Sequence, residues 1–389
     1  MTSTSSPKTM IGRGLRLISG MIAAGAAGTV SIFTGLYAQG EDWILDKKRA
    51  SYGIAVTRML LGGSMLGTLL TNFDTRFYTF GAGMAWTGQI QYPTSDFMKI
   101  WPFGIFNATT GNTPVFTGLY LLCMVAATSF IIGYRTRISS IVLFVLWVGL
   151  IGSNTYVNDQ SDNLTRIALI VTFFVALSDR WSLDARRRAR FEAKRPTRIG
   201  RLWIVRWWRF QRVLPEWFTT VFHNFAIIAL ACQVSFIYVS GGLYKAGGAP
   251  WSGGYAIYDP IHVVQFAPWP ELSQFVTDWG PGVAFATVLT LTVQISFPLL
   301  LLRRGTRIFA LIVMLSFHIG IAVLMGLPWF SLAMIALDAI FIRDVTWVEA
   351  RDGLKRKWRS TRLPSPEEKS TQEPPVLHER DPEKVGVGV

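Results

Sequence analysis

Eight long apolar stretches dominate the sequence and leave few folds open to it. They cover residues 52–70, 115–133, 138–153, 164–178, 221–241, 282–302, 308–325 and 328–342. Each stretch is too long and too evenly apolar for a half-buried strand, and a backbone inside a bilayer must satisfy its own hydrogen bonds. Half of the residues are hydrophobic and only 16% are charged, which is too little charge for a soluble surface. The sequence therefore predicts an all-α, polytopic membrane helix bundle with about eight transmembrane helices.

A further charge-free run, Leu17–Gln39, precedes these stretches. The spacing of Gly20, Ala24 and Gly28 suits an additional, close-packed spanning helix. The low hydrophobicity of the run suits an interfacial helix instead. A cleavable signal is the weakest alternative, because residues 36–38 match a small-x-small cleavage site poorly. The distribution of basic residues among the connections, described next, favours an interfacial or re-entrant segment for this run.

Basic residues mark every second connection of the chain. They cluster before the first apolar stretch, after the second, fourth and sixth stretches, and after the last. By the positive-inside rule, these connections and both termini are cytoplasmic, in a multi-pass protein of the plasma (cytoplasmic) membrane. A span over 17–39 would move the basic residues before it outside, against that rule. The net charge of +14 is matched by anionic lipid headgroups of the bilayer and not by nucleic acid.

Composition divides the chain into three parts. Residues 1–50 form an N-terminal cytoplasmic or interfacial segment, and residues 51–345 form the transmembrane domain. Within that domain, the cytoplasmic connection 179–220 mixes Arg and Trp at helical spacing, which predicts an amphipathic helix on the inner leaflet. Residues 346–389 form a basic cytoplasmic tail with almost no apolar residues to bury, so we expect it to be largely disordered.

Two predicted outer connections, 73–114 and 246–281, are long and rich in aromatic residues. Connections of this length and composition usually carry function. We expect them to cap the outer end of the bundle together.

Lys245 stands among glycines and aromatic residues at the predicted outer end of a span. One explanation is snorkelling, in which the ammonium group reaches the lipid headgroups. The other is a pocket walled by Tyr238, Tyr244 and Trp251, where burial penalises the charged form and favours a neutral amine that can act as a base. The same pocket would suit a flat, apolar ligand.

His318 and Gln294 lie inside predicted spans. An ionisable group there is a functional hypothesis by default, and the alternative for His318 is a neutral ring bonded to a facing carbonyl group. Gln294, with Pro298 one turn later, is predicted to place an amide and a kink opposite Lys245.

Three further charged residues fall in or beside spans. Arg58 must snorkel or find a partner. Asp338 and Arg166 are candidates for structural ion pairs.

No metal site is expected. The four histidines show no ligand spacing and the two cysteines form no CxxC pair, so the cysteines are expected simply to pack. Asp159 and Asp162 offer oxygen ligands for a hard cation in a predicted outer loop. Capping of the next helix by Asp162 or Asn163 is the favoured alternative.

Four segments together resemble the horizontally transferred transmembrane (HTTM) domain. They are YGIAVTRMLLGGSML, SDNLTRIALIVTFFVALSDRWSLDARRR, FIYVSGGLYKAGGAPWSGGYAIY and VQISFPLLLLRRGTRIFALIVMLSFHIGIAVLMGLPWFSLAMIALD. That family includes the vitamin K-dependent gamma-glutamyl carboxylases and the bacterial proteins that mature the sporulation-delaying peptide toxin. The likeness covers residues 50–345.

The resemblance implies a role for one lysine. The carboxylases carry a Gly-Leu-Lys-Lys element after a membrane span, and its second lysine is the base that deprotonates a hydroquinone cofactor. The element GLYK places Lys245 on that lysine and Tyr244 on the first. In the carboxylases this deprotonation takes place on the lumenal side of the membrane, which agrees with the predicted outer position of Lys245. In the carboxylases a large lumenal domain presents the glutamate. We do not expect the residues of this sequence after Met325 to serve in its place, so carboxylation of glutamate is not implied.

We therefore expect an integral membrane enzyme in which Lys245 is the base and His318 is a second candidate catalytic residue. The expected cofactor is a reduced quinone of the menaquinol or vitamin K hydroquinone type, and the expected substrate is peptide or lipid-linked. The predicted cofactor contacts are Tyr238, Tyr244, Trp251 and Gln294. The alternative is a non-catalytic assembly or binding subunit that holds a partner membrane protein or lipid.

Overall fold

The computed structural model describes residues 34, 35, 37–192 and 214–362, and every regular element within those ranges is helical. The main helices are α1 (Ser51–Thr71), α2 (Thr113–Ile132), α3 (Thr136–Ser153), α4 (Gln160–Thr172), α5 (Leu183–Glu192), α6 (Glu216–Ala246), α7 (Gly280–Leu300), α8 (Arg304–Leu324), α9 (Pro328–Asp338) and α10 (Asp344–Arg362). Short helical turns lie in the connections. The all-α prediction is confirmed.

Six of these helices, α1, α2, α3, α6, α7 and α8, are long and apolar enough to cross a membrane. The chain is thus a multi-pass membrane protein. The predicted count of eight spans is not confirmed, because the stretches 164–178 and 328–342 form the shorter helices α4 and α9. These have 13 and 11 residues. At a rise of about 1.5 Å per residue, neither reaches across a hydrocarbon core of about 30 Å.

Helix α1 packs against both α2 and α9. A Cβ atom on Gly53 would stand 2.6 Å from the carbonyl oxygen of Ala339, and one on Gly67 would meet an indole ring. Between these glycines, Thr57 Oγ1 donates a hydrogen bond of 2.7 Å to the carbonyl oxygen of Ala336. Small residues on one face of α1 therefore let α9 and the residue that follows it approach α1 closely.

Arg58 is fully buried and does not snorkel. Its guanidinium group donates to the carbonyl oxygens of Leu177 and Trp181 over 2.8 and 2.7 Å. Asp184 accepts hydrogen bonds from the backbone N–H group of Thr136 and from the Thr136 hydroxyl group. The partners of Arg58 are thus backbone carbonyl groups, and the connection between α4 and α5 is fixed to α1 by them.

Parts of three sequence predictions lie outside the described residues. They concern most of Leu17–Gln39, the amphipathic part of the connection 179–220, and the tail beyond residue 362. Residues 37–45 are helical, and so is the beginning of the tail, where α10 runs to Arg362.

Candidate functional site

Lys245 belongs to the last turn of α6, which ends at Ala246. The helix has 31 residues and is therefore about 46 Å long. This exceeds the thickness of a hydrocarbon core of about 30 Å. The apolar stretch was predicted to end at residue 241, but the helix continues past Gly241 and Gly242. Lys245 therefore belongs to a helix and not to a loop.

Gly242 lets α6 and α7 come together at this end. A Cβ atom on Gly242 would stand 2.9 Å from Cγ1 of Ile295 and 3.1 Å from Cβ of Gln294. The first distance is shorter than real Cβ atoms show, so only glycine fits without a shift. The close approach brings the side chain of Gln294 within reach of Lys245, one turn further along α6.

The amine of Lys245 has one polar partner and two aromatic ones. Its Nζ atom donates to Oε1 of Gln294 over 3.1 Å. It lies 5.0 Å from the ring centroid of Trp251 and 5.2 Å from that of Phe317, within the range of cation–π contacts. In the described part of the chain, no carboxylate forms an ion pair with Lys245.

A second polar group lies deeper in the bundle and joins three helices. Tyr238 of α6 donates its hydroxyl proton to Oδ2 of Asp338 on α9 over 2.8 Å. Nε2 of His318 on α8 lies 3.3 Å from the same hydroxyl oxygen. All three side chains are buried: Tyr238 is 3% exposed, Asp338 7% and His318 2%. Phe317 connects the two polar groups, since its ring contacts both Lys245 and the imidazole of His318.

Two atoms of this group have no hydrogen-bond partner among the described residues: Nδ1 of His318 and Oδ1 of Asp338. A buried polar atom without a partner costs about 1–3 kcal/mol. Polar side chains in the apolar interior of a membrane protein are for this reason usually functional.

Five of the six predicted site residues thus fall into two adjoining groups. Lys245, Gln294 and Trp251 form one, and Tyr238 and His318 belong to the other. Tyr244 does not join them, because its side chain is 88% exposed on another face of α6.

Residues 47–347 match the family model of the HTTM domain. The chain belongs to the HTTM domain family. The resemblance inferred from the four sequence segments is thereby confirmed, and both polar groups lie inside the matched range. Comparison with the curated proteins finds no match, and neither does comparison with the solved structures.

Sequence reasoning missed one residue of these two groups and expected the wrong partner for another. Phe317 gave no signal beyond its place in an apolar stretch. Asp338 was noted as an acid at the end of such a stretch but assigned to an ion pair, whereas its contact is with Tyr238. Arg166 binds Asn163 Oδ1 over 2.6 Å instead.

A cavity of about 370 Å³ lies elsewhere, between the end of α3 and the start of α4. Asp159 and Asp162 line it. They also cap α4 reciprocally, because Asp159 accepts from the backbone N–H groups of Ser161 and Asp162 while Asp162 accepts from that of Asp159. The cap residue is therefore Asp159, with Asp162 as its partner. Burial raises the pKa of Asp162 to about 7. Across the described residues, no group of three His, Cys, Asp or Glu side chains is placed to hold a metal ion.

Proposed function

We propose that this HTTM protein is a membrane enzyme in which Lys245 acts as a base toward a reduced quinone, in the modification of a peptide or lipid-linked substrate. The observation that carries the proposal is the environment of the Lys245 amine: a neutral amide oxygen at 3.1 Å and two aromatic rings.

The partner of Lys245 matters for its chemistry. A lysine paired with a carboxylate is held as an ammonium ion and is a poor base. Gln294 is neutral, and its oxygen orients Nζ without contributing a full negative charge. A neutral amine in this position has a lone pair free to take a proton, and the ammonium ion that results still donates to Gln294.

The residues around Lys245 fit a reduced quinone. The rings of Trp251 and Phe317 offer flat apolar surface. The two unpartnered atoms, Nδ1 of His318 and Oδ1 of Asp338, are suited to accept hydrogen bonds. A reduced quinone carries hydroxyl donors, whereas an oxidised quinone carries acceptors only. When bound, a reduced quinone would supply an acidic hydroxyl group and reducing equivalents.

Such a molecule would be held by five side chains: Lys245, Gln294, Trp251, Tyr238 and Phe317. In this arrangement Lys245 takes the hydroxyl proton, Gln294 fixes the direction of its amine, and the aromatic rings exclude water. Tyr244 has no part in it, given its exposure.

The test compares the full-length protein with Lys245→Ala in nanodiscs that contain menaquinol. We expect the wild-type protein to bind menaquinol and to accelerate its oxidation in air. We expect Lys245→Ala to lose this acceleration by about 100-fold or more while the variant still folds, so the comparison is made at equal amounts of folded protein. Lys99→Ala is the matched control, because Lys99 is an exposed lysine paired with Asp96. A Lys245→Ala variant as active as wild type would overturn the proposal.

A second candidate is a non-catalytic subunit that holds a partner membrane protein. The observation that favours it is the exposure of large aromatic side chains in the connection 73–114: Trp86, Tyr92 and Trp101 are 63%, 82% and 90% exposed. In that role Lys245 would anchor a lipid headgroup. Stable co-purification of one protein, abolished by Trp101→Ala, together with no bound quinone in the mass spectrum of the purified protein, would favour it over the enzyme.

A further inference from the structure

We propose that Asp338 and Tyr238 are positioning residues that fix His318 as the tautomer with its proton on Nε2. Nδ1 of His318 then accepts a hydrogen bond from an O–H or N–H group of a bound ligand.

The direction of the hydrogen bonds follows from the hydroxyl group of Tyr238. This group has one proton and two neighbours, Oδ2 of Asp338 at 2.8 Å and Nε2 of His318 at 3.3 Å. The proton goes to the carboxylate, which is the nearer neighbour and can only accept when ionised. The hydroxyl oxygen is then an acceptor toward His318, so Nε2 must carry the hydrogen.

The other ring nitrogen is an acceptor for the same reason. A neutral imidazole has one N–H group, and here that group is Nε2–H. A second proton on Nδ1 would create a buried donor with no acceptor among the residues the structure describes, at a cost of about 1–3 kcal/mol. Asp338 thus acts on His318 through Tyr238 and does not touch it.

The surrounding side chains keep the imidazole in this orientation. The ring of Phe317 lies 5.2 Å from it and that of Phe330 lies 6.2 Å away, centroid to centroid. Among the described residues, the charged or titratable groups that face His318 are Tyr238, Asp338 and, beyond Phe317, Lys245.

The ligand class follows from the two unpartnered atoms. Both Nδ1 of His318 and the free Oδ1 of Asp338 accept hydrogen bonds, and both are buried among apolar helices. A molecule that supplies the missing hydrogen bonds to these two atoms is uncharged and presents hydroxyl or amide hydrogens. Its contact with Nδ1 rests on the proposed function, whereas the tautomer of His318 does not.

Nitrogen-15 NMR of histidine-labelled, full-length protein in nanodiscs tests the proposal, because the shifts of the two ring nitrogens distinguish the tautomers. The chain has four histidines, and His318→Gln assigns the signal. We expect the Nε2–H tautomer in the wild type and a mixture of tautomers in Tyr238→Phe and Asp338→Leu. Asp338→Asn should keep the wild-type tautomer, since an amide oxygen still accepts from Tyr238.

Tyr258→Phe is the matched control. Tyr258 stacks on His262 at 4.2 Å and does not contact His318, so this variant should leave the His318 signal unchanged. Unchanged signals of His223 report that each variant is folded, and those of His262 do the same in every variant except Tyr258→Phe, whose substituted ring stacks on His262. A wild-type Nδ1–H tautomer, or an unaltered tautomer in Tyr238→Phe, would overturn the proposal.

Addition of menaquinol to the wild-type sample tests the ligand contact separately. We expect it to shift the Nδ1 signal of His318, and we expect oxidised menaquinone, which has no donor, to leave that signal in place. Equal shifts with both forms, or none, would refute the acceptor role of Nδ1. The tautomer result is independent of whether Lys245 turns over menaquinol, so the two proposals can fail separately.

Discussion

The amine of Lys245 lies 3.1 Å from Oε1 of Gln294, which joins the last turn of α6 to the middle of α7. Gln294 is 3% exposed, so water cannot readily replace the lysine as a donor to its oxygen. The bond therefore sets the direction of the amine and satisfies a buried amide at the same time.

Removal of the lysine should leave that amide oxygen unpaired. We predict that Lys245→Met destabilises the folded protein by about 1–3 kcal/mol, the cost of a buried acceptor without a donor. Unfolding in detergent mixtures of increasing SDS content, followed by tryptophan fluorescence, measures the change.

The double variant Lys245→Met, Gln294→Leu is the control for this prediction. It removes both partners, so it should be more stable than the sum of the single changes implies. Additive effects of the two substitutions would show that the bond contributes nothing to stability.

The pair Gly241 and Gly242 offers a second prediction with a built-in control. A side chain at Gly242 collides with α7, whereas one at Gly241 meets no atom within 4 Å. We predict that Gly242→Val lowers stability by about 1–3 kcal/mol through overpacking and breaks the bond between Lys245 and Gln294. Gly241→Val, which brings the same change in helix propensity, should be close to wild type. Thermal unfolding of both variants in detergent measures the difference. An equal loss of stability in both would contradict the close contact of α6 and α7.

Much of the fold could be predicted from the sequence, because the length of an apolar stretch is a local property. Lys245 and Gln294 could also be selected from local sequence, because each is a polar residue in an otherwise apolar segment. The lengths of α4 and α9 could not be predicted, since the apolar stretches 164–178 and 328–342 continue past the points where the helices end. Contacts with distant residues lie at those ends: just past α4 the N–H group of Ala176 donates to Nδ1 of His223 on α6, and Asp338, the last residue of α9, accepts from Tyr238.

The contact between Tyr238 and Asp338 was beyond sequence reasoning for a different reason. The two residues are 100 positions apart, and only the packing of α6 against α9 brings them together. The exposure of Tyr244 was missed because adjacent helical residues point about 100° apart. Lys245 therefore faces α7 while its neighbour does not.

The contact of α1 with α9 gives a third prediction. Thr57 Oγ1 donates to the carbonyl oxygen of Ala336 on α9, whereas Thr68 Oγ1 donates to the carbonyl oxygen of Ser64 in its own helix. We predict that Thr57→Val, which keeps the volume of the side chain, destabilises the protein by about 1 kcal/mol. Thr68→Val should change stability less, as measured by SDS unfolding, and the reverse order would contradict the role of Thr57.

The pKa of Asp162 predicts how stability depends on pH. Burial raises it from 3.8 in the unfolded chain to about 7 in the folded protein, so the folded state holds a proton that the unfolded state has released. The stabilising contribution of this group is therefore fully present below about pH 4 and is lost as the pH rises toward 7. We predict that thermal unfolding shifts to lower temperature between about pH 4 and pH 7, and that Asp162→Asn reduces this shift, because an amide keeps the acceptor for the N–H group of Asp159 without ionising. An equal shift in wild type and variant would show that other groups set the pH dependence.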